Sequence, residues 1–406
     1  MAQINSEIIK WARDTAGLDL ADAANKLGLK AARGIAAEDR LLAIEAGDLP
    51  PTRRILSKMA KLYRRPLLIF YLPAPPRPGE RGQDFRTLPE EYSRSADALV
   101  DALVRDITAR QQITRAILLD EEDALELPFV GSMTIRNTPQ QVLASICKSL
   151  GLDLAQYRNR RAVDRNLLSG FNYLRRQAEK AGFFVLLIGN LGSHHTSLDV
   201  EVFRGFALAD RIAPFIVIND QDSETSWSFT LLHELAHIWL GQTGVSGDNA
   251  SATVEQFCNE VASEFLIPKD EIREIENFRR LTFEELAERI GVIAEEKNVS
   301  MSMLAYKLLR EDIIKIEMWR QLSTFFRNQW LNARQDKRDN NRDKEGGPNY
   351  YIVKRHRLGE GLVSFARRSV SEGVLSPSKA GKLLGVKPTN VYTLLDPSTG
   401  ISGRAA

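Results

Sequence analysis

Residues 229–240 read FTLLHELAHIWL, and two of the chain's five histidines, His233 and His237, stand four apart in it with Glu234 between them. On an α-helix, residues i and i+4 lie one turn apart on one face. Each imidazole can then bring a ring nitrogen to about 2.0–2.1 Å from a single zinc ion. Glu234 is rotated off that axis, close enough to reach a water at the metal but not to ligate it. This is the logic of H-E-x-x-H metallopeptidases. The neighbours Phe229, Leu231, Leu232, Leu235, Ala236, Ile238, Trp239 and Leu240 are apolar nearly all round, which predicts a buried helix. A buried His–Glu–His set is costly unless paired or metal-bound. The plainer reading is two satisfied core histidines and a surface glutamate, and the rest of the chain must separate the two.

A catalytic zinc site needs a third protein ligand and an open position. The run TVEQFCNEVASEFLIP follows at 253–268. Val254, Phe257, Cys258, Val261, Ala262 and Phe265 make one apolar helical stripe. Glu255 borders that stripe and is the expected third ligand. Asn259 lies one turn further along the same edge, where it can orient the ligand as outer-sphere groups do. Glu260 points toward solvent. Glu264 borders the stripe on its other side and is the alternative ligand. The strand FIVIN (215–219) stands just before the histidine helix, where an edge strand can pair with an extended peptide. Its other reading is an ordinary buried strand.

The chain of 406 residues is too long for one small core. The reading is a multidomain, mainly α protein. Residues 1–74 carry four or five short helices, from SEIIKWARDTAG with Ser6 as a cap to PTRRILSKMAKLYRRP, with Gly28 between the second and third. That is a helix-turn-helix outline. LLIFYLPAPPRPGERG turns proline-rich, placing a boundary near 73–82, and residues 75–127 form a linker with connecting helices. Residues 128–330 form an α+β metallopeptidase domain whose small sheet uses 183–189, 201–208 and 215–219. The run NARQDKRDNNRDKEGGPN (332–349) is almost wholly polar, and residues 331–348 are expected as a flexible linker. Residues 349–406 form a basic helical module of helix-turn-helix cadence, with Ser376 capping a helix that ends at Gly385.

Charge is unevenly spread. Net charge is +2 overall, +4 over residues 1–74 and +6 over 349–406, so the middle is acidic. The whole-molecule balance does not demand nucleic acid, yet the ends suggest work different from the middle. Lys379, Lys382, Lys387, Arg355, Arg357, Arg367 and Arg368 supply the C-terminal excess, and Asn390 and Tyr392 fall in its expected recognition helix. Lys379, Lys382, Lys387 and Asn390 are the candidate DNA contacts. The alternative is a small interaction domain. No apolar run approaches the ~18 residues of a membrane helix, and no secretory signal stands at the start. With only Cys147 and Cys258 present, a reducing cytoplasm fits.

GFALAD, APFIVIND, FTLLHELAHIWLG and EQFCNEVASEFLIP together resemble the ImmA/IrrE metallopeptidase family. The N-terminal run, IIKWARDTAGLDLADAANKLGL through SKMAKLYRRPLLIFYLPAPP, resembles the XRE-type helix-turn-helix that often precedes that peptidase. The resemblance implies a zincin-like fold, a Zn2+ cofactor and cleavage of a specific DNA-binding repressor inside the cell, in stress response or mobile-element control. It assigns the zinc ligands to His233 and His237, the general base to Glu234, and the further ligand to Glu255.

Some features depart from that pattern. The stretch KAARGIAAEDRLLAIEAG carries Glu38, Asp39 and Glu45 against Arg40, and carboxylates repel phosphates. The N-terminal module is thus open to docking a partner protein or dimerising instead. Arg53, Arg54, Lys58, Lys61, Arg64 and Arg65 can touch phosphates or simply be a solvated face. An oxyanion donor is needed, with His194, His195, Tyr350 and Tyr351 as weak candidates. A competing reading is a helix-turn-helix transcriptional regulator, or an antitoxin-like protein, that keeps the peptidase fold as a scaffold.

Overall fold

In the computed structural model, the residues described are 4–31, 34–76, 94–121, 124–158, 170–192, 196–200, 202–242, 249–273, 278, 281–342 and 349–397. Among them helices predominate, and one three-stranded sheet is present. Two compact units divide the chain: Met1–Asp106 with Asn190–Phe203, and Ile107–Gly189 with Arg204–Ala406. Among the described residues no helix is long and apolar enough to cross a membrane.

The first unit holds α1 (Ser6–Asp14), α2 (Leu20–Leu27), α3 (Ala37–Ala46) and α4 (Arg53–Leu62), then a 3-10 turn at Leu67–Tyr71. Asn5, rather than Ser6, caps α1; its side chain accepts from Glu7 N. The same amide donates to Leu72 O and Pro73 O, tying the start of α1 to the chain that leaves the 3-10 turn. Asp19 and Thr52 cap α2 and α4, and Gly28 and Gly47 end α2 and α3 in the left-handed conformation at φ 67° and 87°. Ile8, Ile9, Ala12, Leu27, Leu41, Ile44, Leu56, Met59, Tyr63 and Phe70 form its core. Glu45 is only 7 % exposed. It accepts from Arg13 Nε at 2.7 Å and Arg13 Nη2 at 2.9 Å. This carboxylate is therefore a core ion pair and not a charge presented to phosphates. Two of the basic residues on and after α4 also serve the fold. Lys58 donates to Leu27 O at 2.6 Å. Arg65 lies over the Trp11 ring and donates to Thr15 Oγ1.

The division between units falls within α5 (Arg94–Asp120). The second unit continues with α6 (Pro139–Leu150), α7 (Leu154–Arg158), α8 (Gly170–Lys180), β1 (Phe184–Leu187), β2 (Gly205–Leu208) and β3 (Phe215–Ile218). Then come α9 (Glu224–Trp239), α10 (Asn249–Leu266), α11 (Lys269–Arg273), α12 (Phe283–Lys297), α13 (Met301–Arg310) and α14 (Ile316–Arg342). The last helices are α15 (Tyr350–Leu358), α16 (Glu360–Ser371), α17 (Pro377–Leu384) and α18 (Val391–Leu395).

The sheet order is β1-β3-β2. β3 pairs in parallel with β1, Phe184 opposite Phe215, and antiparallel with β2, Gly205 opposite Ile218. The strand Phe215–Ile218, expected as the edge that receives a peptide, is thus the central strand, its ladder groups used on both sides. Successive residues alternate faces. Val185, Leu187, Ala207, Ile216 and Ile218 join the core built by α6, α8, α9 and α10. On the other face Phe184 stacks on Phe215 and meets Phe365 of α16 edge-on. Burial on both faces explains why these strands read as unbroken apolar runs.

The run expected as a flexible linker is helical as far as Arg342, as the end of α14, and 343–348 lie outside the described residues. Its apolar first half packs Leu322 and Phe326 into the core, and extending an existing helix with good formers such as Arg, Gln and Lys costs little. The C-terminal helices pack on the second unit itself. Arg175, 5 % exposed, donates to Val185 O, His356 O and Arg357 O. Arg357 pairs with Asp220 at 2.6 Å and Arg368 with Glu121 at 2.8 Å. Arg367 and Arg355 donate to Leu395 O and Asp396 O. The four arginines of the C-terminal charge excess are engaged within the unit, while Lys379, Lys382 and Lys387 are exposed and Asn390 is half-buried.

Candidate metal centre

The histidine helix α9 starts at Ser223, whose side chain accepts from Ser226 N. Its far end is fixed more strongly. Trp239 is fully buried, stacks on Phe129 with centroids 4.5 Å apart, and donates from Nε1 to Ser145 Oγ at 3.0 Å. The last carbonyls are taken by a neighbouring turn, Gly131 N to Ile238 O at 3.0 Å and Met133 N to Trp239 O at 3.1 Å. A helix clamped at one end by ring stacking cannot turn about its axis, so its faces are set.

The inward face carries the histidines. His233 Nε2 and His237 Nε2 lie 3.0 Å apart. From α10, Glu255 brings Oε2 to 3.1 Å from His233 Nε2 and Oε1 to 3.1 Å from His237 Nε2. The expected stripe of Val254, Phe257, Cys258, Val261, Ala262 and Phe265 is buried, which places Glu255 at its border facing α9. These three side chains form the candidate metal-holding group among the described residues. The side chains of His237 and His233 are 3 % and 12 % exposed and that of Glu255 is 36 %, so the group opens on the Glu255 side.

The donor set fits a divalent cation. The two Nε2 atoms and the two oxygens of the Glu255 carboxylate converge, neighbours standing 3.0–3.1 Å apart, and a shared positive charge, proton or metal ion, holds them together. Burial pushes the Glu255 carboxyl up, but hydrogen bonds from His233 and His237 overcome this and hold it well below the usual carboxylate range. Burial opposes charge on His237, yet contacts with Cys258 and Glu255 raise it well above the usual imidazole value. The site favours positive charge at its centre. Two imidazoles and one carboxylate are a set that zinc accepts.

Glu234 is 5 % exposed and its carboxyl is pushed up by burial, against the pull of His233 and His237. It packs toward β2: a Cβ built on Gly205 would stand 3.0 Å from Glu234 Oε1. A carboxyl raised toward neutrality is suited to receive and release a proton. Asn259 hydrogen-bonds the Tyr306 hydroxyl of α13. Glu264 accepts from Lys307 Nζ at 2.6 Å and from Lys269 N at 3.1 Å, so it is held away from the histidines. His194 and His195 lie outside the described residues. Tyr350 and Tyr351 sit edge-on to each other on α15. Sequence reasoning missed Gln242, whose side-chain oxygen is 3.2 Å from His237 Nδ1, and Gly205. Neither belongs to a spacing that announces chemistry.

Searches of curated proteins and of solved structures found no match. A family model does match: residues 190–309 fit the Peptidase_M78 family, described as an IrrE N-terminal-like domain. The matched span is less than a third of the chain and contains His233, Glu234, His237 and Glu255. It supports a likeness to the ImmA/IrrE group and, for this segment, a metallopeptidase type of site.

Proposed function

We propose that the chain is a zinc-dependent endopeptidase of the cytoplasm that cleaves one specific protein, a DNA-binding repressor of helix-turn-helix type, and so controls gene expression in stress response or on mobile elements. The observation that carries the reading is the convergence of His233, His237 and Glu255 on one point, with the buried Glu234 beside it, inside the span that matches the peptidase family. In this reading His233, His237 and Glu255 hold the ion, which when bound supplies Lewis acidity to a substrate carbonyl. Glu234 takes a proton from the attacking water and delivers it to the leaving amine nitrogen. The open side at Glu255 admits the peptide.

The terminal modules extend the proposal. The helices of residues 1–74 act as a helix-turn-helix that docks DNA or the substrate protein. Residues 349–406 offer DNA the exposed Lys379, Lys382 and Lys387, with Asn390 beside them.

Two measurements test the reading. Elemental analysis of purified protein is expected to give about one zinc per chain, lost in His233→Ala and in Glu255→Ala and kept in Glu234→Gln. In cells, Glu234→Gln is expected to leave the target repressor intact where the parent chain removes it. Absence of metal after zinc is supplied would sink the peptidase reading. The second reading, a regulator or antitoxin-like scaffold that acts by binding, is favoured by the three exposed lysines. It wins if Glu234→Gln retains the full biological effect.

A further inference from the structure

His237 Nδ1 faces the side-chain oxygen of Gln242 at 3.2 Å. An amide oxygen accepts and cannot donate, so this contact favours a proton on Nδ1. Nε2 is the nitrogen turned toward Glu255 Oε1 and His233 Nε2, and its lone pair is the one a cation meets when it displaces the proton shared there. The backbone fixes where Gln242 stands. Gln242 N donates to His237 O, and Gly241 N donates to Ile238 O, each at 2.9 Å. Gly241 is left-handed at φ 68°. A Cβ there would meet Gly131 Cα at 2.9 Å, so this turn excludes a side chain on both counts. The segment leaving α9 is folded back over its last turn, and the Gln242 side chain returns to the His237 ring. The Cys258 thiol also lies beside His237, but a thiol is a weak partner that does not select a tautomer. His233 Nδ1, by contrast, is buried with no hydrogen-bond partner among the described residues.

We infer that Gln242 is a positioning residue of the metal centre: by accepting the Nδ1 proton of His237 it holds the ring in the tautomer and rotation that present Nε2 to a divalent cation. The inference rests on the metal-site reading above. Outer partners of this kind typically contribute 10–100-fold in metal affinity. The test uses the full chain, with zinc as the probe in competition with a chromophoric chelator. Gln242→Leu is expected to weaken zinc binding by roughly 10–100-fold and to alter the visible spectrum of the cobalt form. Gln242→Glu, which keeps an acceptor at the same reach, is expected to restore both. Melting of the metal-free proteins separates this loss from loss of fold. Long-range proton–nitrogen spectra of the zinc-loaded parent are expected to show His237 protonated at Nδ1.

Unchanged zinc affinity in Gln242→Leu would overturn the inference, as would equal weakening in the leucine and glutamate variants or a zinc-loaded parent whose His237 carries no proton on Nδ1. If the parent binds zinc, His233→Ala loses it and Gln242→Leu does not, the metal centre stands and Gln242 falls. If the parent binds none, both fall together.

Discussion

A methyl group at Gly205 would stand 2.5 Å from Thr230 Cγ2, 3.0 Å from Glu234 Oε1 and 3.1 Å from Val217 O. The backbone oxygen cannot yield, and Thr230 is on the same clamped helix as the histidines. The Thr230 methyl, the nearest of the three, must turn aside, and the Glu234 carboxylate beside it is crowded as well. Gly205→Ala is therefore expected to leave zinc content at the parent level while slowing cleavage on the order of 10–100-fold, as small misplacements of a reacting group do. Zinc content and cleavage measured on the same preparation check this, and a parallel loss of zinc would show instead that α9 itself had shifted. The histidines, Glu234 and the Glu255 border position were legible because helical spacing turns directly into geometry. Gln242 and Gly205 were not. Each acts through a contact set by chain reversal or strand pairing, and neither is encoded in a local period.

The Arg13–Glu45 pair ties α1 to α3, with side chains 9 % and 2 % exposed. Removing one partner leaves the other charge buried and costs about 3–5 kcal/mol, whereas an apolar pair of similar volume is often neutral. Glu45→Gln in the full chain is expected to raise hydrogen exchange in α1 and α3, and Arg13→Met with Glu45→Leu to bring protection back. If Glu45→Gln exchanges like the parent, the pair is not holding the two helices. The same example marks a limit of reading elements from sequence. Composition alone placed Glu45 on an exposed recognition face, since a carboxylate is rarely buried unless paired, and its partner is 32 residues away. The strands were found from their apolar runs, trimmed by one to four residues. Their order was not, because a run buried on both faces reads alike at the centre and at the edge of a sheet. The polar end of α14 reads like a linker because its sequence is almost wholly polar, yet helix propagation needs only a nucleus, supplied here by the apolar turns before it.

Over the whole molecule, the C-terminal charge excess first read as an offer to an outside partner. Much of it is used within the second unit, since Arg357 and Arg368 pair with Asp220 and Glu121. Asp220 and Gln221 sit in the turn between β3 and α9, and Arg334 of α14 donates to Gln221 Oε1 at 2.8 Å. The chain that follows the peptidase segment thus holds the entry to the histidine helix as well as one face of β1. Two outcomes separate this arrangement from a tethered module. A chain ending at residue 348 would uncover Phe184 and strip Arg175 of two carbonyl acceptors. Uncovering a large apolar side chain costs about 1.5–3 kcal/mol, and a buried donor left unpaired about 1–3 kcal/mol more. The shortened chain is expected to melt well below the parent or to aggregate. Arg357→Ala, which leaves the Asp220 carboxylate 7 % exposed without its cation, is expected to lower the melting point by a few degrees for about 1–2 kcal/mol. A shortened chain with the parent's melting point and zinc content would mean instead that the last helices are an independent appendage. The three exposed lysines would then be the whole of what that end contributes.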